Sequence, residues 1–192
     1  MSRSLTFLLS AVCLSVTTPV VAEGSAVEND KAGFTYARFG FINAVSGSNR
    51  LDVRLDGRRV WRGIQAYRPT ALQKFIKGEG YVVDFTTTWS NLAVGDTFTT
   101  NIVAGRSYTM VASGNLDVSN DVQPILVDHD RQAVARGRSH VALVNATTDA
   151  PEITLEVNGE AVHAGVELGA FTDYISRLAG WGRVEIFAGL IR

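Results

Sequence analysis

The stretch FINAVSGSNRLDVRLDGRRV, residues 41–60, has a close parallel in LVNATTDAPEITLEVNGEAV, residues 143–162. In each stretch apolar and polar residues alternate, which predicts a β-strand with one face in a core and the other in water. Asp56-Gly57 and Asn158-Gly159 follow these strands and suit type I′ hairpin turns, where positive φ is needed. The residues predicted to point inward are Leu51, Val53 and Leu55, and in the second stretch Ile153, Leu155 and Val157.

A constant offset of 102 positions aligns the two halves of the chain without a gap. The aligned identities are mostly turn glycines and inward apolar positions, the set that a shared β fold demands. They include Asn43 with Asn145, Gly57 with Gly159, Val60 with Val162, Gly63 with Gly165 and Phe85 with Phe187. The repeat therefore predicts a duplicated architecture rather than a duplicated active site.

The order of these elements resembles the DUF4397 family of secreted β-sandwich modules, which often occur in tandem. The resemblance is carried by Asn-Ala after an apolar strand, the Gly turns, Gly-x-Gly before VVDF or VEIF, and NIVAGRSYTMVASG at residues 101–114. The same order is also similar to the periplasmic accessory subunit of bacterial alginate O-acetylation. The resemblance implies an Ig-like or transthyretin-like antiparallel β-sandwich.

The fold expected is all-β, with one complete module and a partial second copy. The predicted divisions are a signal peptide at 1–22, a flexible lead at 23–33, a first copy at 34–136 and a second, C-terminally incomplete copy at 137–192. The incomplete copy is expected to expose a strand edge and an apolar face with Val184, Ile186 and Phe187. Truncation, a strand from elsewhere in the molecule, and a strand from a partner all remain open as explanations.

The N-terminal residues predict export. Arg3 precedes a short apolar run, and Val20-Val21-Ala22 is a small-residue cleavage site, so we expect cleavage after Ala22 and a periplasmic or extracellular product. The only cysteine, Cys13, lies within this segment, and no later apolar run is long enough to span a membrane. The formal net charge of −1 gives no reason to expect a nucleic-acid partner.

Motifs that carry catalysis are missing from the sequence: there is no Gly-x-Ser-x-Gly elbow, no His-Glu-x-x-His and no P-loop. Alternation along a strand places His129 on the opposite face from Asp128 and Asp130, so these three residues do not predict a metal site. We therefore expect a protein that is not an enzyme and has no catalytic residue, metal or cofactor.

Aromatic residues give the best indication of binding. If Val60 and Val162 point inward, Trp61 and its counterpart His163 point outward, while Trp181 lies at a turn tip. In the alternative interpretation Trp61 is covered by the neighbouring module or by the stem of Arg59, and Trp89 lies in the core. Exposed aromatic rings stack on sugars or anchor protein partners. The candidate binding residues are Trp61, Tyr67, Arg68, His163 and Trp181.

The function expected is a non-catalytic binding or structural module of the cell envelope or extracellular space, with a polysaccharide or another envelope protein as its partner. An accessory subunit of a periplasmic machinery for alginate-type O-acetylation is the alternative. Asn145 opens a formal glycosylation sequon, but its repeat in Asn43 without a hydroxyl residue favours a structural role, with the side chain bonding the backbone of the following loop.

Overall fold

A computed structural model describes residues 12–16, 36–48, 50–76, 78–129, 135–178, 180 and 182–188. These residues form β-strands and no helix, so that this part of the chain offers no helix able to cross a membrane. The strands are β1 (Val12–Val16), β2 (Tyr36–Ser46), β3 (Arg50–Leu55), β4 (Arg58–Gln65), β5 (Gln73–Ile76), β6 (Gly78–Thr87), β7 (Ala93–Ile102), β8 (Ser107–Asn115), β9 (Val122–His129), β10 (Arg138–Val144), β11 (Glu152–Val157), β12 (Glu160–Glu167), β13 (Ile175–Leu178) and β14 (Val184–Ala188).

The first copy is a sandwich of two four-stranded sheets, β5-β2-β8-β9 and β4-β3-β6-β7. Its pairs are antiparallel except for β2 and β8, which run parallel. Large apolar side chains from both sheets fill the space between them, and Phe39, Phe41 and Met110 are fully buried. The prediction of an all-β sandwich is confirmed.

Both hairpin turns have the conformation that their residue types predict. Asp56 and Gly57 have φ values of 49° and 73°, and Asn158 and Gly159 have 56° and 78°. Positive φ at both central positions is the requirement of a type I′ turn, and its twist matches that of the flanking strands. These dipeptides thus set the hairpins β3–β4 and β11–β12.

The second copy repeats the strands of the first at the same offset. Strands β10 to β14 correspond to β2 to β6, and the isolated bridge Ile42–Pro69 recurs as Val144–Phe171. Its sheets are β1-β10-β13 and β12-β11-β14, and Leu143, Ile153 and Leu155 form a fully buried centre. The duplicated architecture predicted from the aligned glycines and apolar residues is therefore present.

One position in the second copy is filled by a strand from outside the repeat. In the first copy β8 lies beside β2, whereas in the second copy β1 pairs antiparallel with β10, from Val12 opposite Val144 to Val16 opposite His140. In the described residues β1 therefore takes the place beside β10 that β8 takes beside β2. No described strand pairs with the outer edge of β14, and Val184 and Phe187 are exposed there.

The two copies pack directly against each other. Apolar side chains on the outer face of sheet β5-β2-β8-β9 form one buried cluster with two residues of the second copy. The Ser113 hydroxyl donates a hydrogen bond of 2.9 Å to the carbonyl of Ala146, and the His129 ring is hydrogen-bonded to the Tyr174 hydroxyl. The members of the cluster are Ile42, Ala44, Val111, Ile125, Val127, Val144 and Ala146.

Candidate functional site

The structure reverses the orientation predicted for Trp61. The hairpin β3–β4 contains irregularities on both sides of Val53, so that Trp61, and not Val60, lies opposite Val53. Residues opposite each other in a sheet point to the same face, and Val53 points into the core. Trp61 is accordingly 5% exposed, and the expectation of an outward Trp61 is wrong.

The same irregularity recurs in the second copy, where His163 lies opposite the buried Leu155. His163 is half-buried, and its Nε2 atom is buried without a hydrogen-bond partner among the described residues. Burial lowers the pKa of His163 below its usual value. The prediction that His163 points outward is therefore also wrong. Trp181 lies outside the described residues.

Two of the predicted binding residues, Tyr67 and Arg68, are exposed. The loop that carries them is held against β2, because the Tyr67 amide donates to the Asn43 carbonyl at 2.6 Å and the Thr70 amide to the Phe41 carbonyl at 2.8 Å. Tyr67 has a φ of 60°, a conformation that only a tight turn of this kind imposes on a non-glycine residue. The backbone of Arg68 is thus presented from a fixed loop.

Arg68 and Trp61 line the same open depression of about 380 Å³, called here the Arg depression. Arg50 enters it from β3, because the register places Arg50 opposite Gln65. The Arg50 Nη1 atom lies 3.7 Å from the position that a Cβ on Gly63 would occupy, and Gly63 has a φ of 65°. The lining residues are Arg50, Trp61, Gly63, Ile64, Gln65, Arg68, Pro69, Thr70, Ala71 and Gln73.

The Arg depression is rich in hydrogen-bond donors. Among the described residues no carboxylate forms a salt bridge with Arg50 or Arg68. The indole Nε1 of Trp61 is buried and has no hydrogen-bond partner in the described part of the chain, although such a donor is normally satisfied. In the second copy the positions of Arg50 and Arg68 are taken by Glu152 and Ala170. The cationic character therefore belongs to the first copy alone.

Comparison with known proteins identifies the family. The family model of DUF4397, described as a domain of unknown function, matches residues 37–156. The chain belongs to the DUF4397 family. The match continues past the first copy of this DUF4397 protein and ends within β11. Among curated proteins no match is found.

The repeated asparagines of this DUF4397 protein have the structural role predicted for them. Asn145 is fully buried, its Oδ1 accepts from the Thr147 amide at 3.1 Å, and its Nδ2 donates to the Ala150 and Val166 carbonyls at 3.2 and 2.9 Å. Asn43 accepts from the Val45 amide in the same way at 3.1 Å. Each asparagine closes the loop that follows its strand.

Asp52 is fully buried behind the Arg depression, although its alternation with the inward Leu51 and Val53 predicts that it faces water. One carboxylate oxygen accepts from the Gly63 amide at 2.8 Å and the Thr88 hydroxyl at 2.7 Å, and the other binds Arg59 at 3.0 Å. Desolvation alone would raise the pKa of Asp52, but the hydrogen bonds and the Arg59 charge outweigh it, so that the pKa lies below its usual value.

We expect this carboxylate to make the DUF4397 protein acid-sensitive. Because the folded state depresses the pKa of Asp52, its ionisation stabilises the fold above the unfolded pKa of about 4, and this contribution is lost as the pH falls through the folded pKa. Thermal unfolding measured from neutral pH down to pH ~2.5 should show a declining midpoint. In the Asp52→Asn variant the midpoint should fall less steeply as the pH is lowered. An equally steep fall in both proteins would contradict the lowered pKa of Asp52.

Trp89 is 79% exposed at the turn between β6 and β7, so the alternative interpretation that places it in the core is wrong. Periodicity could not reveal this, because Trp89 follows the end of β6 and its position depends on the turn rather than on alternation. A second depression of the DUF4397 protein lies beside this turn and includes Asn91. No motif in the sequence predicts this depression.

Proposed function

We propose that this DUF4397 protein is an exported, non-catalytic binding module of the cell envelope or extracellular space, and that the Arg depression holds an acidic polysaccharide. The observation that carries the proposal is the presence, at one concave surface, of two guanidinium groups that have no carboxylate partner among the described residues. A guanidinium presents several N–H donors in a planar fork that matches a carboxylate. An acidic sugar unit would supply the missing counter-charge.

The chemistry of the lining favours binding over catalysis. The depression is lined by guanidinium, amide, hydroxyl and indole groups and by apolar side chains, and none of its lining residues is an acid, a histidine or a cysteine. General acid–base and nucleophilic catalysis near neutral pH depend mainly on those absent groups. The guanidinium groups of Arg50 and Arg68 can hold a ligand.

Export is proposed from the N-terminal sequence alone. Arg3, the apolar run that follows and the small residues before Glu23 form the pattern of a cleavable signal peptide. A periplasmic or extracellular site brings the protein to where acidic polysaccharides occur. The accessory role in alginate-type O-acetylation remains the alternative, because each sugar of such a polymer carries a carboxylate that would suit Arg50 and Arg68.

Calorimetric titration of the purified chain tests the proposal, with an oligo-uronate as the acidic probe and a neutral oligoglucose as its comparison. We expect the oligo-uronate to bind, and its affinity to fall as salt is added. Arg50→Ala and Arg68→Ala should each weaken binding about tenfold, since a hydrogen bond to a charged group contributes about 1.5–3 kcal/mol.

Arg58→Ala is the matched control, because Arg58 is also exposed but lies at the hairpin end of β4 and does not line the depression. It removes the same charge and should leave binding unchanged. Binding of the oligo-uronate that survives the combined change of Arg50 and Arg68, or that falls equally in Arg58→Ala, would count against the Arg depression as the site.

A further inference from the structure

The packing of the two copies against each other carries an inference that does not rest on the Arg depression. Strand β9 presents Ile125, Val127 and His129 on one face, because alternate residues of a strand point to the same side. Ile125 and Val127 belong to the buried cluster that joins the copies. His129 therefore lies on the face of the first copy that packs against the second.

The ring of His129 connects the two copies through its two nitrogen atoms. Its Nε2 lies 2.7 Å from the hydroxyl oxygen of Thr109, on the neighbouring strand β8 of the same copy. Its Nδ1 is hydrogen-bonded to the hydroxyl of Tyr174, which belongs to the second copy. The ring centroids of His129 and Tyr174 are 6.0 Å apart. These three residues are called here the His129 contact.

The His129 contact is not a product of the duplication. At the offset of 102 positions Tyr174 aligns with Leu72, an apolar residue that cannot form this hydrogen bond. The hydrogen bond from the Ser113 hydroxyl to the Ala146 carbonyl also joins the copies, but neither of its groups changes protonation near neutral pH. His129 therefore adds a titratable group to the contact between the copies.

The hydrogen bonds of the His129 contact suit a neutral ring. A neutral imidazole donates through one nitrogen and accepts through the other, whereas a protonated imidazole donates through both. One of the two hydroxyls must therefore donate to the neutral ring, and its hydrogen has to turn elsewhere when the ring is protonated. His129 is also half-buried, and this burial lowers its pKa below the usual value. Protonation and the closed contact thus oppose each other.

The charged neighbour on the first copy counteracts this effect only in part. The carboxylate of Asp128 raises the pKa of His129, but by less than burial lowers it. Asp128 lies on the opposite face of β9 and forms a salt bridge with Arg106. The charge of Asp128 is therefore shared with a permanent cation.

The titratable groups of the second copy lie around Tyr174 and His163. The ring of His140 is 6.3 Å from that of Tyr174. The charges of Asp173 and Arg177 act on the pKa of His163, which is a different histidine of the second copy. Burial raises the pKa of Tyr174, so that its hydroxyl stays neutral over the pH range in which a histidine titrates.

We propose that the His129 contact makes the packing of the two copies depend on pH: a neutral ring holds the copies together, and its protonation loosens them. Because folding lowers the pKa of His129, its stabilising contribution is complete above the unfolded pKa of about 6.5 and is lost as the pH falls through the folded value. This range lies above the one in which Asp52 titrates. The inference goes beyond the proposed function, since His129 does not line the Arg depression.

Hydrogen exchange of the full chain at about pH 7.5 and about pH 5 tests the proposal, after correction for the intrinsic effect of pH on exchange. In the acid sample we expect amides of residues 122–129 and 144–150 to exchange about threefold faster or more, while residues 50–55 in the first copy are unchanged. Small-angle X-ray scattering of the same samples should show a larger radius of gyration in acid. His129→Gln should remove both responses, because its amide can bond the two hydroxyls and does not titrate.

The chain has three histidines, and the other two supply the matched controls. His140→Gln and His163→Gln should each leave the acid response of residues 122–129 in place. Tyr174→Phe keeps the ring but lacks the hydroxyl, so its exchange at neutral pH should already approach that of the parent protein in acid. The proposal is overturned if the parent protein shows no acid response, if His129→Gln responds like the parent, or if either control variant abolishes the response.

Discussion

Replacing Trp61 with alanine is expected to lower the free energy of unfolding of the first copy by about 3–5 kcal/mol, a large part of the 5–15 kcal/mol typical of a whole domain. Trp61 is the aromatic centre of the first copy. Its ring centroid lies 5.8 Å from that of Phe39, 6.3 Å from that of Phe41 and 5.5 Å from that of Phe75. Removing the indole would leave a cavity between the two sheets that these neighbours could fill only partly.

Urea denaturation followed by far-ultraviolet circular dichroism measures this loss. Trp89→Ala is the matched variant, because it deletes the same side chain from a position that is 79% exposed, and it should change stability by less than about 0.5 kcal/mol. Trp61→Phe should lose less than Trp61→Ala, since part of the volume remains. If Trp89→Ala destabilised the protein more than Trp61→Ala, the assignment of the two tryptophans to core and surface would be wrong.

Asn145→Ala should destabilise the second copy by about 3 kcal/mol or more. The change leaves the Val166 carbonyl and the Thr147 amide without their side-chain partner, while the Ala150 carbonyl keeps only the Thr147 hydroxyl as a side-chain donor. Each such unsatisfied group costs about 1–3 kcal/mol. The shape of the alanine side chain cannot compensate, because the lost atoms are the ones that close the loop after β10.

Hydrogen exchange by mass spectrometry locates this effect along the chain. We expect amides of residues 139–178 to lose protection in Asn145→Ala, and amides near β2 to lose it in Asn43→Ala. Thr148→Ala, at an exposed position in the same loop, serves as the control and should leave protection unchanged. Unchanged protection in Asn145→Ala would mean that the loop is held by its backbone alone.

The features that the sequence predicted correctly depend on residues that are close to each other along the chain. Asp56-Gly57 and Asn158-Gly159 specify their turns because few residues accept positive φ, and the two asparagines specify loop closure because their side chains bond nearby backbone. These features involve residues close in sequence. The duplicated strands, the hairpins and the all-β fold therefore followed from the sequence.

The sequence did not predict which side chains point into the core and which point to water, because a single extra residue in a strand reverses the pattern. Strict alternation puts Val60 inward and Trp61 outward, but the irregularities around Val53 bring Trp61 opposite Val53 and into the core. Asp52 shows a second limit, since its burial depends on Gly63 and Thr88, which lie far from it in sequence.

Only part of the candidate site could be predicted from the sequence, because the rest depends on strand pairing. Tyr67 and Arg68 were predicted as binding residues because they are neighbours in one loop. Arg50 lies near Arg68 only because β3 pairs with β4. The exposure of Trp89 could not be predicted, because it depends on the conformation of the turn after β6. The alternation of apolar and polar residues gives no information about residues beyond the end of a strand.

The pairing of β1 with β10 links the proposed cleavage of the signal peptide to the exposure of a sheet edge. Val12–Val16 belong to the proposed signal peptide, so the strand that covers one edge of the second copy would also be the segment that directs export. Cleavage after Ala22 would then convert a covered edge into an open one at the moment when the protein reaches its destination. Maturation and the availability of that edge for a new strand would be the same chemical step.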